Sequence, residues 1–210
     1  SVELVNINLL KEHPLNFSIY TRDRGVEDEE LELSVKNVGL LNPIVVDKKS
    51  KNKISGHRRY LVCKRLKMDF IPVIYNDFDD SELALIESNR YRVKTSSERI
   101  RESEFLNEKI KLMSKEERIQ FTGGVQPRNF VSQVVGVPKN TIYKEKYIKE
   151  NDEVIFKKVD LGLIPLNTAY NIVRTNNGID YTDSELKQKI STIKHKIGEI
   201  KEEVDKDVWL

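Results

Sequence analysis

The sequence predicts an α/β domain followed by an all-α helix-turn-helix region and a C-terminal amphipathic helix. Three observations predict this. Up to about residue 93, apolar runs of strand length alternate with helical patterns. From Ser96 onward no convincing strand run appears. Near the C-terminus, apolar residues recur at alternating spacings of 4 and 3. The expected division is 1–93, 94–175 and 176–210. A length of 210 residues accommodates one large domain or two to three small ones, and 33% charged against 38% apolar residues suits helix-rich modules better than one thick core.

Val2 to Ile7 alternates apolar and polar residues and reads as an opening strand, followed by an irregular His13-Pro14-Leu15-Asn16. A helix follows Arg24, with Leu31, Val35 and Val38 at helical spacing and Gly39 placed to end it. Pro43 opens a second strand through Asp47, whose near-continuous apolar character predicts burial on both faces. After a short basic hairpin, a helix runs over 57–67, and Phe70 to Tyr75 forms a further strand in which Pro72 predicts an edge position. Asp79 and Glu82 have capping-box spacing for a helix carrying Leu83, Ile86 and Asn89.

The stretch Lys53-Ile54-Ser55-Gly56-His57-Arg58-Arg59-Tyr60 sits at a strand-to-helix junction. Glycine lets a backbone approach an anion, first-turn N–H groups lack intrahelical partners, and guanidinium forks fit phosphate oxygens. Between Lys53 and Lys67 there are six Lys or Arg and no acid. Taken alone, the pattern fits equally a turn glycine followed by solvated helix charges.

In the C-terminal half, Ser96 or Ser97 caps a helix with Ile100, Phe105, Ile110 and Met113, and Gly123-Gly124 breaks the chain. Arg128 to Tyr147 has helix-turn-helix spacing. Small Ser132 lies at the crossing, Gly136 in the turn, and Val131, Val135, Val137 and Ile142 occupy core positions. The second helix starts near Pro138. Lys139, Asn140, Thr141 and Lys144 are then placed to face the major groove, Asn140 to read a base edge and Lys139, Lys144 and Lys146 to meet phosphates; Arg128 and Gln133 complete the expected double-stranded DNA contacts. Pro165 to Ile172 reads as a short buttressing helix. Leu186, Ile190, Ile193, Ile197, Ile200 and Val204 form a heptad seam that packs in cis or, slightly favoured, pairs two copies as a homodimer, with His195 off the seam and solvated.

Net charge is only +2, a weak argument for nucleic acid, but it is segregated: residues 23–32 carry six acids, whereas 53–67 and 90–101 are basic. The one cysteine, Cys63, excludes an internal disulfide, fits a reducing cytoplasm, and falls on the apolar side of its helix as a structural thiol. No signal peptide or apolar run of spanning length is present, so the sequon at Asn16 is read as chance. Starting at Ser1 without methionine, the chain reads as a fragment.

These patterns together, from about Val5 to Val173, resemble the ParB family of chromosome and plasmid partition proteins. Gly39-Leu40-Leu41-Asn42-Pro43-Ile44-Val45 is similar to the family's Gly-Leu-x-x-Pro-Ile-Val strand. Gly56-His57-Arg58-Arg59 is similar to its Gly-Glu-Arg-Arg box, and Ser88-Asn89-Arg90-Tyr91-Arg92 to its Glu-Asn-x-x-Arg box. Gly162 to Tyr170 resembles the segment after the family's helix-turn-helix. The resemblance implies a ParB/sulfiredoxin-like α/β fold that binds CTP with Mg2+. Gly56, His57, Arg58, Arg59, Asn89 and Arg92 hold the nucleotide, and Asn89 serves the metal. It further implies a sequence-specific, centromere-binding partition protein whose two copies clamp DNA, with a partition ATPase as partner and a cytoplasmic, nucleoid- or plasmid-associated location.

Two departures mark a divergent plasmid or phage member. Ser88 replaces the family's acid, Glu87 points about 100° away, and so at most weak CTP hydrolysis is expected. The Pro-rich first box survives only as residues 13–18, with Arg22 or Arg24 standing in for its arginine. The alternatives are a related transcriptional regulator without nucleotide response and a phosphoryl-transfer enzyme of the same fold. Sulfiredoxin chemistry is disfavoured because His57 stands where that family has cysteine, and Cys63 lies two turns away.

Overall fold

The computed structural model describes residues 1–20 and 26–176, together with 193 and 195. The expectations for Arg22, Arg24 and the heptad tail lie outside the described residues, apart from Ile193 and His195, both helical, His195 being exposed. The chain divides into two compact units, with the boundary inside one helix between Ile142 and Tyr143.

The first unit contains a four-stranded mixed sheet of order β1-β4-β2-β3, formed by Val2–Asn6 (β1), Ile44–Asp47 (β2), Lys53–Ser55 (β3) and Phe70–Asn76 (β4). β1 runs antiparallel to β4, β4 parallel to β2, and β2 antiparallel to β3. Helices α2 (Val26–Val38) and α3 (His57–Arg65) pack on one face, where Val35, Tyr60, Val62 and Cys63 bury themselves against Ile44, Val46, Ile71 and Val73. A short α1 (Asn16–Ile19) forms where the sequence reads as irregular.

Pro72 does not sit on an edge strand, since β4 is flanked by β1 and β2. It pairs with Leu4 of β1, while the β2 ladder begins one residue later, at Ile44 opposite Val73. At Pro72 the strand is therefore locally one-sided, and the missing N–H breaks no ladder bond. Nor is β2 sealed on both faces: Ile44 and Val46 are buried, but Val45 is only half-buried, because the helices cover one face alone. Val38 likewise points outward at the end of α2, 59% exposed.

A second core in the same unit joins α1 with α4 (Ser81–Ser88), α5 (Ser96–Lys111) and α7 (Pro127–Val135) through Ile19, Leu85, Ile86, Leu106, Ile110, Val131 and Val134. Two caps fall one residue from their expected places. Asp80, not Asp79, accepts from Leu83 N at 2.9 Å, and Thr95, not Ser96 or Ser97, closes a capping box with Glu98. α6 (Lys115–Thr122) fills the stretch before Gly123, which ends it in the left-handed conformation.

α8 (Lys139–Asn151) starts one residue after Pro138 and crosses the unit boundary. The second unit continues with α9 (Glu153–Asp160) and α10 (Leu166–Asn176), burying Ile155, Phe156, Ala169, Ile172 and Val173. No helix among the described residues is long and apolar enough to cross a membrane.

Candidate functional site

β3 delivers the chain to Gly56, which adopts φ +95° and opens α3 without a side-chain cap. A Cβ here would lie 2.7 Å from Ile44 Cδ1, so only glycine fits the turn. The first N–H groups of α3 then border a cavity of about 300 Å3, at the lower end of the range for small-molecule sites. All six residues expected to hold a nucleotide line it: Gly56, His57, Arg58, Arg59, Asn89 and Arg92. They come from the α3 turn, the end of α4 and the loop that follows.

The three arginines and Asn89 are held by hydrogen bonds. Arg58 Nε donates to Asp28 Oδ1 at 2.6 Å, and Arg59 Nη1 donates to the Asn42 and Pro43 carbonyls. Arg92 Nη2 donates to Glu98 Oε1 at 2.6 Å while its guanidinium lies 4.9 Å from the centre of the Tyr20 ring. Asn89 Nδ2 donates to the Leu85 carbonyl at 2.9 Å. Burial, followed by repulsion from Lys53, depresses His57 to about 3, so its ring is neutral near pH 7. Its Nε2 lies 3.8 Å from Glu12 Oε2.

Several residues of this region carry no functional signal in the sequence. Phe17 and Tyr20 join Leu31 and Leu61 as apolar lining; the pair of aromatics three apart was the available hint of a helical turn. Lys53 is fully buried, its Nζ 2.8 Å from Glu12 Oε1 and 3.4 Å from the Tyr60 ring centre. Paired with Glu12, it braces the strand before Gly56 and does not line the cavity. Burial and the Glu102 carboxylate push the Tyr20 hydroxyl far above its ordinary range.

Ser88 holds the end of α4 against β3: its hydroxyl lies 3.0 Å from the Ile54 carbonyl and 2.8 Å from that of Leu85. Glu87 is not part of the lining and pairs with Arg90 at 3.2 Å. Among the described residues, no carboxylate lines the cavity, and no three His, Cys, Asp or Glu side chains converge. Asn89 Oδ1 is a neutral donor, whereas Mg2+ is ordinarily held through one or two carboxylates besides phosphate oxygens. This donor set does not fit a protein-held Mg2+.

The helices α7 and α8 are joined by a turn in which Gly136 has φ +84° and Ser132 Oγ donates to the Val137 carbonyl at 2.7 Å. Arg128 and Gln133 on α7 are exposed, as are Lys139 and Asn140, with Thr141 half-buried. In the second unit, Lys144 donates to Asn167 Oδ1 at 2.7 Å, Lys146 is half-buried, and Tyr143 is 58% exposed. Tyr170 meets Tyr143 and Tyr147 edge to face, while those two rings are tilted by 32° to each other.

Sheet, glycine turn and three guanidiniums lining one cavity define the first unit as an α/β domain succeeded by helices. Residues 2–89 match the model of the ParB N-terminal domain family. A probable chromosome-partitioning protein ParB of Rickettsia bellii is 34% identical over 113 residues, covering 51% of this chain and 37% of the relative. Its counterpart in Rickettsia prowazekii matches to the same extent. The chain thus spans well under half the length of these relatives. Among solved structures, a Pnob8-like ParB N-domain aligns with TM-score 0.58 at 18% identity, over 85% of this chain and 82% of that one. Caulobacter crescentus ParB, C-terminally truncated and complexed to the centromeric parS site, aligns with TM-score 0.54 at 17% identity, over 81% of this chain and 84% of that one. At these identities the likeness is one of fold.

Proposed function

We propose that the chain acts as a sequence-specific DNA-binding partition protein of the ParB type, with CTP as the ligand of its N-terminal domain. The observation that carries this reading is the convergence of Gly56–Arg59, Asn89 and Arg92 on one cavity within a matched ParB N-terminal domain. Apolar lining from Phe17, Leu31 and Leu61 suits a base or ribose, and the α3 N-terminus with its arginines suits phosphates. With Ser88 in place of an acid, the pocket holds the nucleotide rather than cleaving it.

DNA is met by the turn and first residues of α8, with Arg128, Gln133, Lys139, Asn140 and Thr141 as contacts and Lys144 and Lys146 beyond them. The Rickettsia relatives and the parS-bound Caulobacter protein support DNA as partner. A second copy and a partition ATPase are the protein partners of this reading, and the cytoplasm its location.

The test is calorimetric titration of CTP into the native chain and into Arg58→Ala and Arg59→Ala, alongside selection of bound DNA from a random pool. The expected result is CTP binding weakened at least about tenfold by each substitution, and recovery of one enriched DNA sequence. Absence of CTP binding, or equal binding by all three chains, refutes the nucleotide assignment; an unenriched pool refutes sequence specificity.

A further inference from the structure

We propose that the cavity takes its nucleoside triphosphate as the metal-free anion, with arginines in the place a divalent cation would fill. This inference rests on the nucleotide reading above. Three guanidiniums, from Arg58, Arg59 and Arg92, line the cavity together with the N-terminal turn of α3. No carboxylate among the described residues accompanies them there.

Among the described residues, the acids that pair with cations of this region are already matched to a base. Asp28 lies 2.6 Å from Arg58, Glu98 2.6 Å from Arg92, Glu87 3.2 Å from Arg90, and Glu12 2.8 Å from Lys53. Turning any of them toward a metal would strip a partner from a buried or half-buried cation, which is costly. At position 88 the side chain is a hydroxyl pointed at the Ile54 and Leu85 carbonyls, and the Asn89 amide group already donates to Leu85.

Mg2+ is strongly hydrated and near-octahedral, and a protein retains it by offering anionic oxygen. Here a divalent ion would arrive beside three guanidiniums, two of them paired with Asp28 and Glu98, and would be held chiefly by the ligand's own oxygens. It would also neutralise part of the phosphate charge that the arginines and helix terminus attract. The metal therefore gains at most neutral oxygens such as Asn89 Oδ1 from the lining and subtracts from the phosphate contacts the arginines offer.

The experiment is equilibrium titration of the full chain with CTP in excess EDTA and again in excess MgCl2, at matched ionic strength. The expected dissociation constant in EDTA is equal to that in Mg2+ within about twofold, or tighter. Binding at least about tenfold weaker in EDTA overturns the inference while leaving the nucleotide reading standing. Binding in neither buffer overturns the nucleotide reading itself and the inference with it.

Discussion

Lys94 and Glu102 form an ion pair closed off from water, with Nζ 2.7 Å from Oε2 and side chains 2% and 0% exposed. Lys94 also donates to the Val135 carbonyl at 3.2 Å, and the Tyr20 hydroxyl donates to the other oxygen of Glu102. One buried pair thereby ties the start of α5 to the last residue of α7 and to a wall of the cavity. Replacing Glu102 by Leu strands a buried ammonium and should cost about 3–5 kcal/mol in urea unfolding. Adding Lys94→Met should restore much of that loss. A double variant as unstable as the sum of the single ones would refute the pairing.

His57 makes a separate statement about pH. Its folded pKa is depressed to about 3, first by burial and then by Lys53, from an ordinary value of 6.5. The unfolded ring takes up a proton that the folded ring refuses. Its contribution to stability is complete above pH 6.5 and is lost as pH falls from there toward 3, with a slope of at most about 1.4 kcal/mol per pH unit. His57→Gln should flatten that limb in urea titrations at stepped pH. Some slope should persist, because burial lowers His13 in the same direction. An unaltered limb in the variant would show that His57 titrates normally.

Gly56 and Gly39 separate two costs of adding a methyl group. Both have positive φ, +95° and +77°, but a Cβ at Gly39 meets nothing within 4 Å whereas one at Gly56 strikes Ile44 Cδ1. Gly39→Ala should cost about 1 kcal/mol of backbone strain. Gly56→Ala should cost that plus about 1–3 kcal/mol of overpacking against β2, and it should impair CTP binding. Equal losses would mean that Ile44 yields without penalty.

What could be read from the sequence follows from how much chain each feature uses. β1, β2, β4, α2, α3 and α5 announce themselves by apolar periodicity over several residues. β3 has three residues, one of them Lys53, and α1 has four, so neither offers a period to detect. The α4 cap slips by one because Asp79 and Asp80 are equally good acceptors in sequence, and only backbone geometry brings Asp80 to Leu83 N. The six expected pocket residues were visible as two boxes. The apolar lining was not, since Phe17 and Tyr20 reach the cavity only through the packing of α1 against α5. Lys53 looks like any solvated lysine until folding brings Glu12 to it.

Lys139 and Lys144 share α8 but not their surroundings. Lys139 is exposed at the first residue of the helix, while Lys144 donates to Asn167 Oδ1 at 2.7 Å and lies 5.4 Å from the centre of the Tyr170 ring. A phosphate that recruits Lys144 must share it with Asn167, so part of its interaction energy is spent before DNA arrives. Lys139→Ala should therefore weaken DNA binding more than Lys144→Ala, by about tenfold at low salt, and lower the magnitude of the salt slope by about 1. Binding measured across a salt series checks both numbers. A larger loss from Lys144→Ala would mean that the Asn167 contact orients the lysine for its phosphate instead of competing for it, and Asn167→Ala would then weaken binding as well.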